Sequence, residues 1–307
     1  DVSLDLDLEP AKHWFRSEGV YTLVNRQANA LHQVPLTGAP HWKNLIWTVD
    51  GDSAKPDDRL SLFVFNMKPP LAPGDSVRIG FRFDGYVPDG ITKNGGGKEE
   101  FILPSGVVLT SFSGTFTPLV GYQETVGIDK DNKYDSKEFP DDFYEGLTKP
   151  AFGSGNNVTT RVRITGPADY RYNSVGVMVS DEVSGDHRTT EWKTDHPVNF
   201  FNVVAGRWKE RKGKGTAIYY HPGHDYNVDS MMVALDASRK YYSEWFYEFP
   251  WQELKLSEFP ALASYAQGFP TDITFSESIG FLVRQDSKAD LAFMVTAHEA
   301  AHQWWGN

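Results

Sequence analysis

The chain has 307 residues, 40% of them hydrophobic and 14% aromatic, which is enough apolar material for more than one packed core. A formal charge of −11 excludes a nucleic-acid binder that works by neutralising phosphates, and the absence of cysteine excludes disulfides, cysteine zinc sites and thiol nucleophiles. Zero cysteine suits cytoplasm and periplasm alike and leaves the compartment open. No run approaches the roughly 18 apolar residues that span a bilayer, and no Lys/Arg-rich run fits an anionic membrane surface.

The opening residues alternate, with Val2, Leu4, Leu6 and Leu8 on one face and Ser3, Asp5, Asp7 and Glu9 on the other. That pattern predicts a half-buried strand. Further strands are predicted over Gly19–Val24, Leu60–Met67, Ser76–Phe83, Phe101–Thr110, Val158–Thr165, Ser174–Ser180 and Asn199–Val204. Turn clusters such as Lys68-Pro69-Pro70 and Pro73-Gly74-Asp75 separate them. Many short strands with no helical pattern imply a β-sandwich or a related antiparallel fold. Asn94–Lys98 reads as a glycine-rich loop tip, and Asp129–Gly146 as an acidic surface loop. Its start, Asp129-Lys130-Asp131-Asn132, lacks the Gly and the closing Glu that a calcium loop requires.

The pattern changes near Gly206. A strand is expected over Thr216–His221, a helix over Asn227–Phe249 capped by Asn227 or Asp229, and extended chain over Leu254–Phe259. A second helix is expected over 289–305, with Leu291, Met294, Val295, His298, Ala301, His302 and Trp305 on one broad face. The domains are therefore placed at 1–205, mainly β, and 206–307, mixed α and β. The turn His221-Pro222-Gly223-His224 reads as a structural loop feeding the first helix.

The chemistry sits in His298-Glu299-Ala300-Ala301-His302. On a helix, residues four apart lie one turn above each other, so two imidazoles converge on one point. A catalytic Zn²⁺ takes three protein ligands and leaves one position open. Glu299, next to the first His, is placed beside the metal as general base, while His298 and His302 are metal ligands. Ala297, Ala300 and Ala301 leave room for a metal and a neighbouring helix.

The run HEAAHQWWGN at His298–Asn307 resembles the gluzincin zinc-aminopeptidase family, the aminopeptidase N type. DVSLDLDLEP is similar to the first strand of that family's saddle-shaped β-domain, and FFNVVAGRW at Phe200–Trp208 to its crossover into the catalytic domain. The resemblance implies a mainly β N-terminal domain followed by the start of a thermolysin-like α/β (α+β) catalytic domain, a Zn²⁺ cofactor and peptide substrates. HPGHDYNVDSMMVAL, EFPALASYAQGFPTDITFSESIGF and VTAHEAAHQWW resemble, more narrowly, the peptidase-like domain fused to bacterial ABC-transporter permeases. That resemblance implies a domain of a membrane-associated protein, with a permease region in the same chain.

The family completes its metal site with a Glu about eighteen residues after the second His. That ligand, and the Tyr that helps stabilise the oxyanion, are expected beyond Asn307, and the chain by itself is expected to be inactive. The family also holds the substrate's free amine with the Glu of Gly-x-Met-Glu-Asn. Gly268 stands at that position in Tyr265-Ala266-Gln267-Gly268-Phe269, and Glu277 is the nearest substitute. Two functions follow as expectations: a zinc-dependent, aminopeptidase-like peptidase, or a non-catalytic peptide- or protein-binding module accessory to a transporter.

Overall fold

The computed structural model describes residues 1–87, 99–123, 126, 157–285 and 288–306. The Asn94–Lys98 tip and the Asp129–Gly146 acidic stretch lie outside the described residues. The described residues are mainly β, in four sheets. The eight-stranded sheet is built around Val2–Glu9, which pairs antiparallel with Trp14–Val24 and parallel with Thr160–Pro167. Its alternation is read out directly: Val2, Leu4, Leu6 and Leu8 are buried in one core with Val77, Ile79, Phe81 and Phe83 of Ser76–Tyr86.

Two predicted strands break in the middle. Phe101–Thr110 is a hairpin, Phe101–Leu103 against Gly106–Thr110, turning at Pro104-Ser105. Ser174–Ser180 divides at Gly176, whose φ of 85° a side chain would resist. Arg171–Ser174 joins a four-stranded sheet, while Val177–Ser184 crosses to the edge of the eight-stranded one. The strand expected at Asn199–Val204 runs over Asn202–Gly206.

From Lys209 onward the chain forms a five-stranded sheet. Thr216–Tyr220, Leu254–Phe259 and Asp272–Ser276 run parallel in that order, and Lys209–Lys212 and Ala266–Phe269 flank them antiparallel. Two helices pack on it, α1 (Val228–Trp245) and α2 (Leu291–Ala301). Both are shorter than their periodicity predicts. Asn227 precedes α1, but its side chain makes no capping bond; its amide donates to the carbonyls of Gly280 and Val283 and ties the helix start to a distant loop. No helix among the described residues is long and apolar enough to cross a membrane.

The halves meet through an apolar cluster of Phe101, Val108, Val204, Trp208, Ala217, Tyr219 and Phe259, and through a buried polar layer. Lys255 is fully buried; its Nζ donates to the Gly176 carbonyl at 2.8 Å and lies 4.5 Å over the Trp192 ring. Asp272, also fully buried, accepts from Ser257 at 2.9 Å and from Asn202 at 3.0 Å. Burial raises the Asp272 carboxyl from 3.8 to about 6 despite the nearby Lys255. Because the folded pKa is raised, ionising Asp272 opposes folding: the cost is absent below the unfolded value and complete above the folded one. Wild type should therefore lose stability relative to Asp272→Asn as pH rises from about 4 to about 6, by on the order of 2 kcal/mol. Thermal melts of both proteins at pH 4 and pH 6.5 check this, and a pH-independent difference in Tm would refute it.

Candidate active site

Helix α2 starts at Asp290, whose side chain caps the Phe293 N–H at 2.9 Å and also accepts from Ser230 of α1. The helix buries Ala292, Thr296, Glu299 and Ala300. These residues are small apart from Glu299, so the helix lies close to α1 and to the strand Ala266–Phe269. The broad face that carries the histidines is largely open: Leu291 is 44%, Met294 59% and Trp305 46% exposed, and His298 is exposed beside them. Periodicity marks an apolar stripe, but here the stripe of small residues wins the packing.

The helix ends at Ala301, with His302 as its C-cap in helical conformation. Buried Gln303 fastens this end to the sheet: it accepts from the Thr271 N–H and donates to the Phe269 carbonyl, both at 2.9 Å. Trp304 adds a second anchor, its indole donating to the Tyr247 carbonyl at 2.8 Å.

His298, Glu299 and His302 come together as the helical spacing requires, with one ligand atom from each lying within 4.8 Å of the others. The two imidazoles are perpendicular, with centroids 5.1 Å apart. Nδ1 of His302 is 3.1 Å from the Trp305 carbonyl and donates to it, leaving Nε2 with its lone pair free for a metal. Glu299 is buried, and burial raises its pKa; His302, His298 and the Gly268 backbone N–H partly offset that rise. Among the described residues no further His, Asp or Glu joins this group.

Gly268 faces the motif with no room for a side chain. A Cβ there would lie 2.7 Å from the Glu299 carbonyl oxygen and 2.9 Å from Cβ of His302. Glu277 is not nearby. It follows the strand Asp272–Ser276, roughly 13 Å along from Ile273, the residue paired with Gly268. Its carboxylate accepts from the Ala261 N–H at 2.9 Å and belongs to a second donor cluster with His224 and Glu258, again within 4.8 Å. Neither Glu258 nor Gln303 stands out in the sequence. The one signal for Glu258 is a charged residue inside Leu254–Phe259, a strand buried along its whole length.

The chain thus sets an HExxH helix on the mixed sheet that follows a β-rich region. The structure is similar to the M1 zinc metallopeptidase from Deinococcus radiodurans at a TM-score of 0.66 and 17% identity, and to a mutant of that enzyme at 0.65 and 16%. Each alignment covers 99% of this chain and 63% of the other, so the chain spans less than two thirds of their length. At this identity the likeness is one of fold. No family model and no curated protein matches the sequence.

Proposed function

We propose that the chain is the β-domain and the beginning of the catalytic domain of a zinc-dependent peptidase. The observation that supports this most is the His298–Glu299–His302 group on a helix held to the edge of the sheet, within a fold shared with M1 zinc metallopeptidases. The donor set fits zinc: two imidazoles one helical turn apart, one of them with its tautomer set by the Trp305 carbonyl. His298 and His302 would hold the ion, and the family resemblance assigns the third ligand to a Glu on the following helix. An ion held there would supply Lewis acidity, lowering the pKa of a water to about 7 and polarising the carbonyl to be attacked. Glu299 takes the proton of the attacking water and hands it to the leaving nitrogen. Burial suits it to that task by moving its carboxyl up towards the working pH, while the Gly268 N–H keeps the carboxylate oriented.

The second reading is a peptide-binding module associated with a permease. The observation that favours it is Gly268 in place of an amine-anchoring carboxylate. Both readings predict weak selection for a free N-terminus, because a buried ammonium without a carboxylate partner is left uncompensated. In the whole protein, acetylating a peptide substrate should change kcat/KM by less than about tenfold, or about 1.4 kcal/mol. Turnover of matched free and acetylated fluorogenic peptides, with zinc and after chelation, tests this. Zinc-dependent cleavage establishes the peptidase, its absence favours the binding module, and a strong requirement for the free amine would show that another carboxylate anchors it.

A further inference from the structure

We propose that His224, Glu258 and Glu277 form a second zinc site distinct from the His298–His302 pair, with His221 beside it. The parallel sheet assembles it. Thr216–Tyr220 runs directly into the turn His221-Pro222-Gly223-His224, Leu254–Phe259 carries Glu258 at its next-to-last position, and Asp272–Ser276 is followed by Glu277. The register, Tyr219 beside Ser257 and Phe259 beside Ser276, brings these three carboxyl-terminal strand ends together. One ligand atom each from His224, Glu258 and Glu277 then lies within 4.8 Å of the others.

Two features of the cluster ask for a cation. Glu258 is fully buried, and both its oxygens are engaged locally: one lies 2.5 Å from Nδ1 of His224, the other accepts the His221 backbone N–H at 2.5 Å. Glu277 brings a second carboxylate oxygen to 3.8 Å from the same His224 nitrogen. Two carboxylates thus share one imidazole, so at most one positive charge faces two negative ones. Carboxylates gathered in this way with one of them fully buried are an arrangement that a bound cation would compensate.

The other feature is His221. Its ring lies 5.8 Å from that of His224, and its Nε2 is buried with no hydrogen-bond partner among the described residues. A buried imidazole nitrogen left unpaired is rare and costs stability. A divalent cation would neutralise the two carboxylates, and the unpaired His221 nitrogen lies beside the same group. One imidazole with two carboxylates makes a three-donor set of the hard-to-borderline kind that suits Zn²⁺. The ion would clamp the turn entering α1 to the ends of two strands.

The test removes the first site. His298→Ala/His302→Ala in the 307-residue chain alters exposed and half-exposed side chains and leaves the core intact. After chelation and dialysis this variant is titrated with Zn²⁺ alone by calorimetry, with thermal melts alongside. One equivalent of zinc with a raised Tm is expected. Adding Glu258→Gln should weaken binding at least tenfold, and His224→Ala, at a part-exposed position, should do the same if the buried substitution impairs folding. No binding by the double variant would overturn the proposal, as would binding that is indifferent to His224→Ala. The outcome does not depend on whether the His298–His302 pair itself proves catalytic.

Discussion

Replacing Glu299 by Gln is expected to lower hydrolysis by the whole protein by about 10²–10⁴ while zinc stays bound. Gln keeps the shape of Glu and its ability to hydrogen-bond to the Gly268 N–H, but it cannot take a proton. His298 and His302 are untouched, and the Trp305 carbonyl still orients His302, so the metal should be retained. Steady-state rates with elemental analysis of the same preparation separate the two effects. Full activity in the variant would move the chemistry elsewhere. Loss of zinc together with activity would make Glu299 a structural support of the site instead of its base.

Substituting Gly268 by Ala is the other large expected effect. The backbone at Gly268 has no unusual φ, so the penalty is purely one of space. A methyl group would lie 2.7 Å from the Glu299 carbonyl oxygen and 2.9 Å from Cβ of His302. Neither neighbour can swing away, since one is backbone and the other is the root of a metal-binding side chain. Relief requires α2 to move off the strand, against the paired hydrogen bonds of Gln303. Overpacking of this kind costs about 1–3 kcal/mol. Displacement of catalytic groups by about 1 Å costs about 10²-fold in rate. Urea unfolding and kcat/KM of Gly268→Ala should show both losses, and unchanged kinetics would mean that the helix does not seat against this strand in solution. The same crowding implies that Gly268→Glu would disable the site and would not restore an amine anchor.

Much of the architecture was legible because it rests on local periodicity. The alternation in Val2–Glu9 and Ser76–Phe83 appears directly as buried faces. The HExxH spacing needed only helical geometry to bring three donor groups together. Breaks inside predicted strands were less visible: Gly176 looks like any strand glycine until its left-handed φ sends the chain from one sheet to another. The seating of α2 was not legible either. Periodicity groups Leu291, Met294 and Trp305 on one face, but α2 is seated by Ala292, Thr296, Ala300 and Gln303, because close approach to the strand favours small residues and paired amide bonds.

The sequence by itself determined the HExxH group, the helix that spaces its two histidines, and the β-rich character of the first two hundred residues, since each depends on neighbours within a turn or along a strand. Tertiary structure decided what faces those donors. The contact of Gly268 with Glu299 and His302 spans more than thirty positions. The gathering of His224, Glu258 and Glu277 depends on the parallel pairing of three strands separated by a helix and loops. Such contacts are set by which surfaces bury the most area together and satisfy the most buried polar groups, a property of the whole fold that no local window of residues encodes.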